Sequence, residues 1–142
     1  MAHDTLICSG GLFLSRDTKR FLFLQRTSKK TAGTWGLVGG KKESIDHTLV
    51  DTLKREIEEE LGTALIDKIV PLELFTNSDQ SFQYNTYVLI TPSEFIPKLN
   101  GEHSGYSWCN YEYWPKPLHR GVRNSFNNKI NKIKLKLILD LL

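Results

Sequence analysis

Runs of apolar residues that alternate in part with polar ones predict the strands of a sheet. Residues 5–14 and 20–26 are two such runs, and Ser15–Lys19 between them has the composition of a turn, so the two runs are expected to pair. Residues 66–76 and 82–91 form a second pair of predicted strands. The chain therefore carries at least two strand pairs in separate parts of its sequence.

Two further extended segments are shorter. Residues 31–42 (TAGTWGLVGGKK) are rich in glycine and predict a loop around a brief extended piece at Trp35–Val38. A short strand is also predicted at Tyr106–Cys109.

Two segments place apolar residues at helical spacing. In 48–61 an apolar side chain recurs every fourth residue, Thr48 and Asp51 fit a capping box, and Gly62 is a stop signal. A final helix is predicted from about Val122, with lysines on its wet side. Its apolar residues are Phe126, Ile130, Ile133, Leu137, Ile138 and Leu141. Strands followed by a helix, then strands and a helix, predict a mixed α/β domain with helices covering a sheet.

Length and composition narrow the class of protein. A chain of 142 residues suits one domain over 1–142, and 39% hydrophobic with 25% charged residues is ordinary for a globular protein. No apolar run approaches the roughly 20 residues that span a bilayer, and the N-terminus does not have the pattern of a signal peptide. Cys8 and Cys109 form no metal-type or redox-type pair. We therefore expect a cytoplasmic protein with no membrane partner.

The distribution of charge is more informative than the net charge of +3. Acidic residues crowd into 56–60, and lysines and arginines collect after residue 116. An acidic cluster can hold a cation, and a basic protein attracts polyanions. A substrate made of phosphates bridged by a divalent metal would use both.

Three glutamates of the first predicted helix share one face. Glu56, Glu59 and Glu60 are related by i, i+3 and i+4 spacing, beside the apolar stripe of the same helix. Each pair of carboxylates at ~5 Å repels by about 1 kcal/mol even in water. A divalent ion with oxygen ligands offsets that repulsion, and carboxylates suit Mg²⁺ or Mn²⁺. The competing interpretation is a solvated helix face, since glutamate is a good helix former.

The glycine-rich loop and the acidic helix together make a longer pattern. It reads Gly39-Gly40, then Arg55-Glu56-Ile57-x-Glu59-Glu60-x-Gly62. This pattern resembles the Nudix box of the MutT-like hydrolases, and the stretches LFLQR, GTWGLVGGKKE and GEHSGYSW are also similar to that family. The resemblance implies the Nudix fold, an α/β/α sandwich with a mixed sheet. It also implies hydrolysis of a nucleoside diphosphate linked to another group.

The resemblance also implies roles for individual residues. The implied metal ligands, for Mg²⁺ or alternatively Mn²⁺, are Glu56, Glu59, Glu60 and the backbone carbonyl near Gly40. Arg55 matches the arginine that orients a neighbouring glutamate in the family.

The group that activates water has more than one candidate. A box glutamate such as Glu59 can do so, and in other members of the family a downstream loop residue does, where Glu102 and His103 lie in this chain. We expect His103 to titrate near neutral pH, so that activity would fall between about pH 7 and 6 if it were the base. Arg26 and Lys41 flank the predicted cleft and are candidates for contacts with phosphate oxygens, with surface solvation as the alternative.

Two departures from the family pattern affect the loop. The segment from Gly40 to Arg55 is one residue too long, and the expected glutamate falls on Asp46 or His47. We expect Asp46 to substitute for it by pairing with Arg55. Val38 stands where many members have proline.

The substrate is open between a nucleoside triphosphate, giving monophosphate and pyrophosphate, and a nucleotide sugar. Residues 101–108, with Arg123, Asn124 and Ser125, also resemble loop patterns of GDP-mannose mannosyl hydrolases, but those enzymes have an altered box. A nucleotide sensor without turnover is a third hypothesis. A nucleic-acid partner is not expected, because the terminal lysines are not interleaved with aromatic residues.

Two further expectations concern packing and assembly. Phe75, Phe82 and Tyr84 lie on predicted strands, where core packing is the preferred interpretation over a base pocket. Pairing into a homodimer is a hypothesis for which the sequence selects no interface.

Overall fold

The structure of the protein, a computed structural model, describes residues 4–142. A mixed sheet of seven strands forms its centre. The strands are β1 (Leu6–Ser15), β2 (Phe21–Arg26), β3 (Trp35–Gly36), β4 (Val38–Lys41), β5 (Lys68–Thr76), β6 (Phe82–Thr91) and β7 (His103–Cys109). Their order is β3-β2-β1-β6-β5, with β4 also paired to β1 and β7 to β2. Only the β1–β6 pair is parallel among these described pairings.

The predicted strands are confirmed, with two changes. The pairing of the first two strands holds, with Leu14 opposite Phe21, but β7 begins at His103, three residues earlier than expected. The glycine-rich loop contains two short strands, β3 and β4, where one extended piece was expected. The second of these lies against β1 because Gly39 has a φ of 156° and any Cβ there would collide with the Ser9 carbonyl.

The first helix, α1 (Leu49–Leu61), has the ends that the sequence predicts. Thr48 and Asp51 form the capping box, and Gly62 follows with a φ of 83°. Its apolar stripe packs on the face of the sheet to which Phe13 points. The buried residues of this layer are Phe13, Leu22, Leu24, Val38, Leu53, Ile57, Leu61, Leu89 and Trp108. Burying each large aliphatic side chain contributes about 1.5–3 kcal/mol, so this stripe anchors α1 and fixes where its acidic face points.

The C-terminal segment differs from the sequence prediction of one helix beginning near Val122. It contains two helices, α2 (Arg120–Asn127) and α3 (Lys129–Asp140). They are separated at Asn128, whose side chain accepts a hydrogen bond from the Asn131 N–H at 3.1 Å and so caps α3. The cap at Asn128 thus divides a segment that the spacing of apolar residues alone predicts to be one helix.

The break also changes which residues are buried. Phe126 remains buried as expected, but α3 turns Asn131 and Leu135 inward. The predicted apolar stripe is wrong for Ile130, Ile133, Leu137 and Leu141, which are exposed. The buried residues of this second layer are Leu12, Leu14, Phe21, Phe23, Leu37, Leu72, Val88, Ile90, Phe126 and Leu135.

The two layers lie on opposite faces of the sheet, since alternate residues of β1 point to α1 and to the C-terminal helices. The predicted fold class, an α/β/α sandwich with a mixed sheet, is confirmed. Among residues 4–142, no helix combines the length and apolar character needed to cross a membrane.

Candidate functional site

The acidic face of α1 meets the glycine pair of β4. The Gly39 N–H donates to Glu60 Oε2 at 3.0 Å, and the Glu60 side chain is almost fully buried. A side chain at Gly40 would collide with the Glu56 carboxylate. The absence of side chains at this pair therefore lets the loop backbone, with its N–H and C=O groups, lie directly against two carboxylates.

The start of β7 adds two more ionisable groups to the same place. Glu60, Glu102 and His103 each place one oxygen or nitrogen atom so that all three lie within 4.8 Å of one another. We call these residues the open cluster. Within it, His103 Nδ1 is 3.7 Å from Glu60 Oε1 and has no hydrogen-bond partner among residues 4–142.

Burial shapes the electrostatics of this cluster. Desolvation raises the pKa of Glu60 to about 9, against the hydrogen bond from Gly39 and with help from the charges of Glu56 and Glu102. Burial also raises the pKa of Glu56, while Arg55 works in the opposite direction. Burial therefore penalises the ionisation of both carboxylates, and among the described residues only Glu56 has a compensating salt bridge, to Arg55.

The surroundings of His103 act against its expected titration near neutral pH. Burial lowers the pKa of its imidazole below the ordinary value, and the Arg26 guanidinium lowers it further. This direction moves any activity loss caused by protonation of His103 to lower pH than the sequence suggested.

Arg55 sits at the centre of a second set of contacts, at the junction of the loop and α1. Its Nε donates to Asp46 Oδ1 at 3.1 Å and its Nη2 to Asp46 Oδ2 at 2.9 Å, so the expected pairing of these residues is confirmed. The same Nη2 donates to the Lys41 carbonyl at 2.9 Å. Asp46 also accepts from the Glu43 N–H and the Thr52 hydroxyl. We call Arg55, Asp46 and Thr52 the brace.

The contacts of the brace concern the position where the loop has an extra residue and lacks the expected glutamate. Asp46 takes the place of the missing glutamate, and His47 is exposed. The Arg55 hydrogen bonds hold the pKa of Asp46 well below its usual range, and the bond from the Glu43 N–H adds to this. The buried Thr52 hydroxyl, which the sequence did not single out, completes the set of donors around Asp46.

Glu59 lies apart from the open cluster. Its carboxylate is more than half exposed and is 3.4 Å from Arg55 Nη1, which also contacts Glu56 at 3.1 Å. The three glutamates of one helix face thus differ: Glu60 is buried, Glu56 partly so, and Glu59 open to solvent.

Asn100 is a positioning residue that the sequence analysis missed. Its Nδ2 donates to the Glu59 carbonyl at 3.0 Å, and its Oδ1 accepts from the Glu102 N–H at 2.9 Å. It therefore ties the loop before β7 to the end of α1. The Asn-Gly pair at 100–101 signals a turn, but no sequence pattern says which helix that turn contacts.

The two predicted phosphate-binding residues are differently placed. Arg26 donates from Nε to Thr31 Oγ1 at 3.0 Å and lies near enough to His103 and His119 to lower the pKa of both. Lys41 has an exposed side chain, and its backbone carbonyl accepts from Arg55.

Three aromatic side chains form a row on β5 and β6. The ring centroids of Phe75 and Phe82 are 6.3 Å apart, and those of Phe82 and Tyr84 are 6.2 Å apart. The expected core packing is wrong for Phe75, which is 48% exposed. Burial raises the pKa of Tyr84, and the nearby Cys8 and Glu60 raise it further, so the Tyr84 end of the row is the one near Glu60.

The residues present fit a divalent cation. The donor set consists of carboxylate oxygens, the backbone beside Gly40 and one buried imidazole nitrogen without a partner. These are the atom types that Mg²⁺, Mn²⁺ and related ions accept.

Comparisons with known proteins agree with this geometry. Residues 9–128 match a family model described as the NUDIX domain. No curated protein sequence matches the chain.

Several solved structures share the fold. The MutT NUDIX hydrolase of Burkholderia pseudomallei is 23% identical, with 89% of this chain and 99% of that chain covered and a TM-score of 0.67. The MutT protein of Methanosarcina mazei Go1 is 25% identical, with coverage of 94% and 98% and a TM-score of 0.67. An Ap4A hydrolase of C. elegans, in a binary complex, is 16% identical, with coverage of 92% and 98% and a TM-score of 0.68.

Proposed function

The chain belongs to the NUDIX family of hydrolases that cleave acid anhydrides, and on this premise we propose that it converts a nucleoside triphosphate to the monophosphate and pyrophosphate with Mg²⁺. One observation carries the proposal. The loop at Gly39 and Gly40, the helix residues Glu56 and Glu60, and the start of β7 bring oxygen donors together at one place. Such a set of donors is suited to a divalent ion with phosphate oxygens beside it.

In this proposal Glu56, Glu60 and the Gly40 carbonyl hold the cation. When bound, the cation polarises a phosphoryl oxygen and favours ionisation of water. The buried position of Glu60 and its bond from Gly39 fix these ligands before the substrate arrives, which reduces the ordering needed on binding.

Glu59 is the proposed proton acceptor. Its carboxylate is exposed, is oriented by Arg55, and lies outside the open cluster, so it is placed to take a proton from water as the water oxygen bonds to phosphorus and the P–O–P bridge breaks to give monophosphate and pyrophosphate. Glu102 is the alternative acceptor, because its carboxylate is exposed at the same site.

Arg26 and Lys41 are proposed to contact the phosphates. Both are cations at the rim of an acidic site, where a polyphosphate needs donors that the carboxylates do not supply. The aromatic row of Phe75, Phe82 and Tyr84 is proposed to receive the base, since it runs from Tyr84, near Glu60, to the half-exposed Phe75 ring, which offers a face for stacking.

A set of matched variants tests the catalytic assignment. Glu59→Gln is expected to lower turnover by at least about a hundredfold without unfolding the protein, because the side chain is exposed. Glu58→Gln, one residue away and also exposed, is the control and should retain normal rates. If Glu102→Gln instead shows the large loss and Glu59→Gln does not, the acceptor is Glu102. Normal rates in both would remove the assignment.

A substrate panel tests the reaction. Nucleoside triphosphates, nucleotide sugars and dinucleoside polyphosphates are incubated with Mg²⁺ or Mn²⁺, and the products are identified. Monophosphate with pyrophosphate supports the proposal. A released free sugar would assign the nucleotide-sugar reaction, and cleavage of Ap4A alone would assign the reaction named for the C. elegans relative. Binding of a nucleotide without any product would indicate a sensor.

A further inference from the structure

We propose that helix α3 (Lys129–Asp140) is a docking surface for an anionic lipid bilayer, on which the helix lies in the plane of the membrane with its exposed apolar side chains between the lipids. The inference goes beyond the proposed function and does not rest on it. It departs from the sequence-based expectation of no membrane partner, because the structure exposes side chains that the sequence placed in the core.

The carrying observation is a row of exposed aliphatic side chains along α3 and its C-cap, which we call the apolar row. At 100° per residue these side chains span an arc of about 80°, and the buried side at Asn131 and Leu135 faces about 140° away. The exposed fractions are 63% for Ile130, 59% for Ile133, 55% for Leu137 and 84% for Leu141. Single exposed apolar residues are common, whereas a continuous row about 16 Å long on one helix face indicates a contact surface.

Lysines border the apolar row on both sides. Lys134 follows one edge, and Lys129 and Lys136 follow the other. All three are exposed, and none of them forms a salt bridge among residues 4–142. The Lys134 amine donates to the neutral Leu72 carbonyl at 2.9 Å, which leaves its charge uncompensated. Lysines in such positions place their charged ends among lipid headgroups while the apolar row lies deeper.

The positive charge of the molecule is concentrated around this helix. Residues 116–142 contain seven lysines and arginines and one acidic residue, Asp140, which gives a net charge of +6. Because the whole chain has a net charge of +3, residues 1–115 carry −3. The acidic residues 56–60 belong to α1, which packs on the other face of the sheet. A surface of anionic headgroups is therefore complementary in charge to the side of the molecule that presents α3.

A second copy of this chain fits the apolar row less well than a bilayer does. Two α3 helices laid against each other would bring lysines next to lysines, and like charges repel. Four aliphatic side chains that are already partly covered also offer far less area than the roughly 800 Å² that each partner of a stable protein complex buries. A bilayer supplies anionic headgroups and an apolar interior together. A helix of 12 residues is about 18 Å long, which suits a position along the membrane surface.

Co-sedimentation of the full chain with lipid vesicles tests the proposal. One set of vesicles contains equal amounts of phosphatidylglycerol and phosphatidylcholine, and the other contains phosphatidylcholine alone. Wild-type protein is expected to bind the anionic vesicles at least about tenfold more tightly than the neutral ones. Leu137→Ser should weaken this binding at least about tenfold, because an aliphatic side chain no longer leaves water. Lys129→Gln combined with Lys136→Gln should weaken it by about tenfold or more.

Matched controls replace the same residue types outside α3. Leu65→Ser changes a side chain that is 72% exposed, and Lys30→Gln combined with Lys98→Gln removes two exposed charges. Both controls should bind the anionic vesicles as wild type does. In a separate readout of depth, lipids with brominated acyl chains should quench the fluorescence of Leu137→Trp beyond any quenching of the wild-type tryptophans.

Absence of wild-type binding to the anionic vesicles would overturn the proposal, and this outcome does not depend on how any variant folds. Binding that survives Leu137→Ser would overturn it as well, because charge alone would then hold the protein, and so would equal losses in the control variants. Sedimentation velocity provides a further outcome. A dimer that Leu137→Ser dissociates, without vesicle binding by wild type, would assign the apolar row to a second copy of this chain instead.

Discussion

The brace and the open cluster each include residues of α1, with Arg55 and Glu60 five residues apart, and the two groups differ in how their charges are matched. In the brace, Arg55 and Asp46 satisfy each other with two hydrogen bonds, and Thr52 fills a remaining acceptor of Asp46. In the open cluster, two carboxylates and a buried imidazole converge with no cationic side chain bonded to them among residues 4–142.

The comparison shows how one short helix can serve structure at one end and chemistry at the other. The brace is complete in the folded chain, so it fixes the loop against α1 whether or not a ligand is present. The open cluster is incomplete, since burial raises the pKa of Glu60 to about 9 and the hydrogen bond from the Gly39 N–H offsets only part of that penalty. A divalent cation is the partner that we propose for this cluster.

The largest expected effect comes from neutralising the open cluster. Glu60→Gln should lower turnover by at least about a hundredfold, because it removes a proposed cation ligand. The same variant should melt at a higher temperature than wild type in the presence of a chelator, because a buried carboxyl whose ionisation the fold disfavours is replaced by a neutral amide. Kinetics and calorimetry on one preparation check both, and a variant that is active or markedly less stable would break the comparison.

Breaking the brace should lower the stability of the protein and reduce its activity less than the loss of Glu60 does. Asp46→Ala removes the main partner of Arg55 and leaves the Thr52 hydroxyl without its acceptor. We expect a lower melting temperature and a loss of about tenfold in kcat/KM, the usual cost of losing a supporting contact behind a metal ligand. Glu43→Gln is the control, because Glu43 is an exposed partner of Arg55 at 3.4 Å and should contribute little.

Substitutions at the proposed nucleoside-binding end of the site should change activity less than those above and leave stability unchanged. Phe75→Ser removes the half-exposed ring of the aromatic row, and we expect KM to rise about fivefold with kcat unchanged, at the low end for loss of one base-stacking contact. Leu74→Ser, at the adjacent exposed position on the opposite side of the strand, is the control. Equal effects of the two variants would exclude a specific role for the aromatic row.

In the absence of metal, the brace and the open cluster should make the stability of the protein depend on pH in opposite directions. Asp46 has a lowered pKa when folded, so its contribution is present above its unfolded value of about 3.9 and is lost as pH falls below it. Glu60 has a raised pKa, so stability falls as pH rises from about 4.3 towards its folded value of about 9. Asp46→Asn should flatten the acid side of a denaturation profile, and Glu60→Gln the alkaline side. If neither variant changes the slope of stability against pH, the pKa values of Asp46 and Glu60 are not shifted by folding as described.

The sequence predicted those parts of the site that depend on local pattern. The period of apolar residues and the Thr48 cap define α1, and the i, i+3, i+4 spacing puts the glutamates on one face. The box spacing placed the missing glutamate at Asp46 or His47, and the expected pairing of Asp46 with Arg55 is present. All of these follow from interactions within about fifteen residues along the chain.

The unequal burial of the three glutamates could not be predicted in the same way. Glu60 is buried because the loop at Gly39 and the start of β7 both pack against it, and these segments lie far away in sequence. The long separations also hid the contacts of Asn100. In the C-terminal segment the apolar period was a misleading guide, because the cap at Asn128 divides the helix and rotates the buried face of α3.

The most direct test of the contrast between the two regions is thermal unfolding with and without Mg²⁺. A cation at about a hundred times its Kd adds about 2.7 kcal/mol of stability, which raises the melting temperature of a domain of this size by roughly 5 °C or more. We expect this rise for wild type and for the exposed control variant Glu58→Gln. We expect little or no rise for the double variant that combines Glu56→Gln with Glu60→Gln. An equal rise in all three proteins, or no rise in wild type, would contradict the claim that the open cluster is completed by a divalent cation.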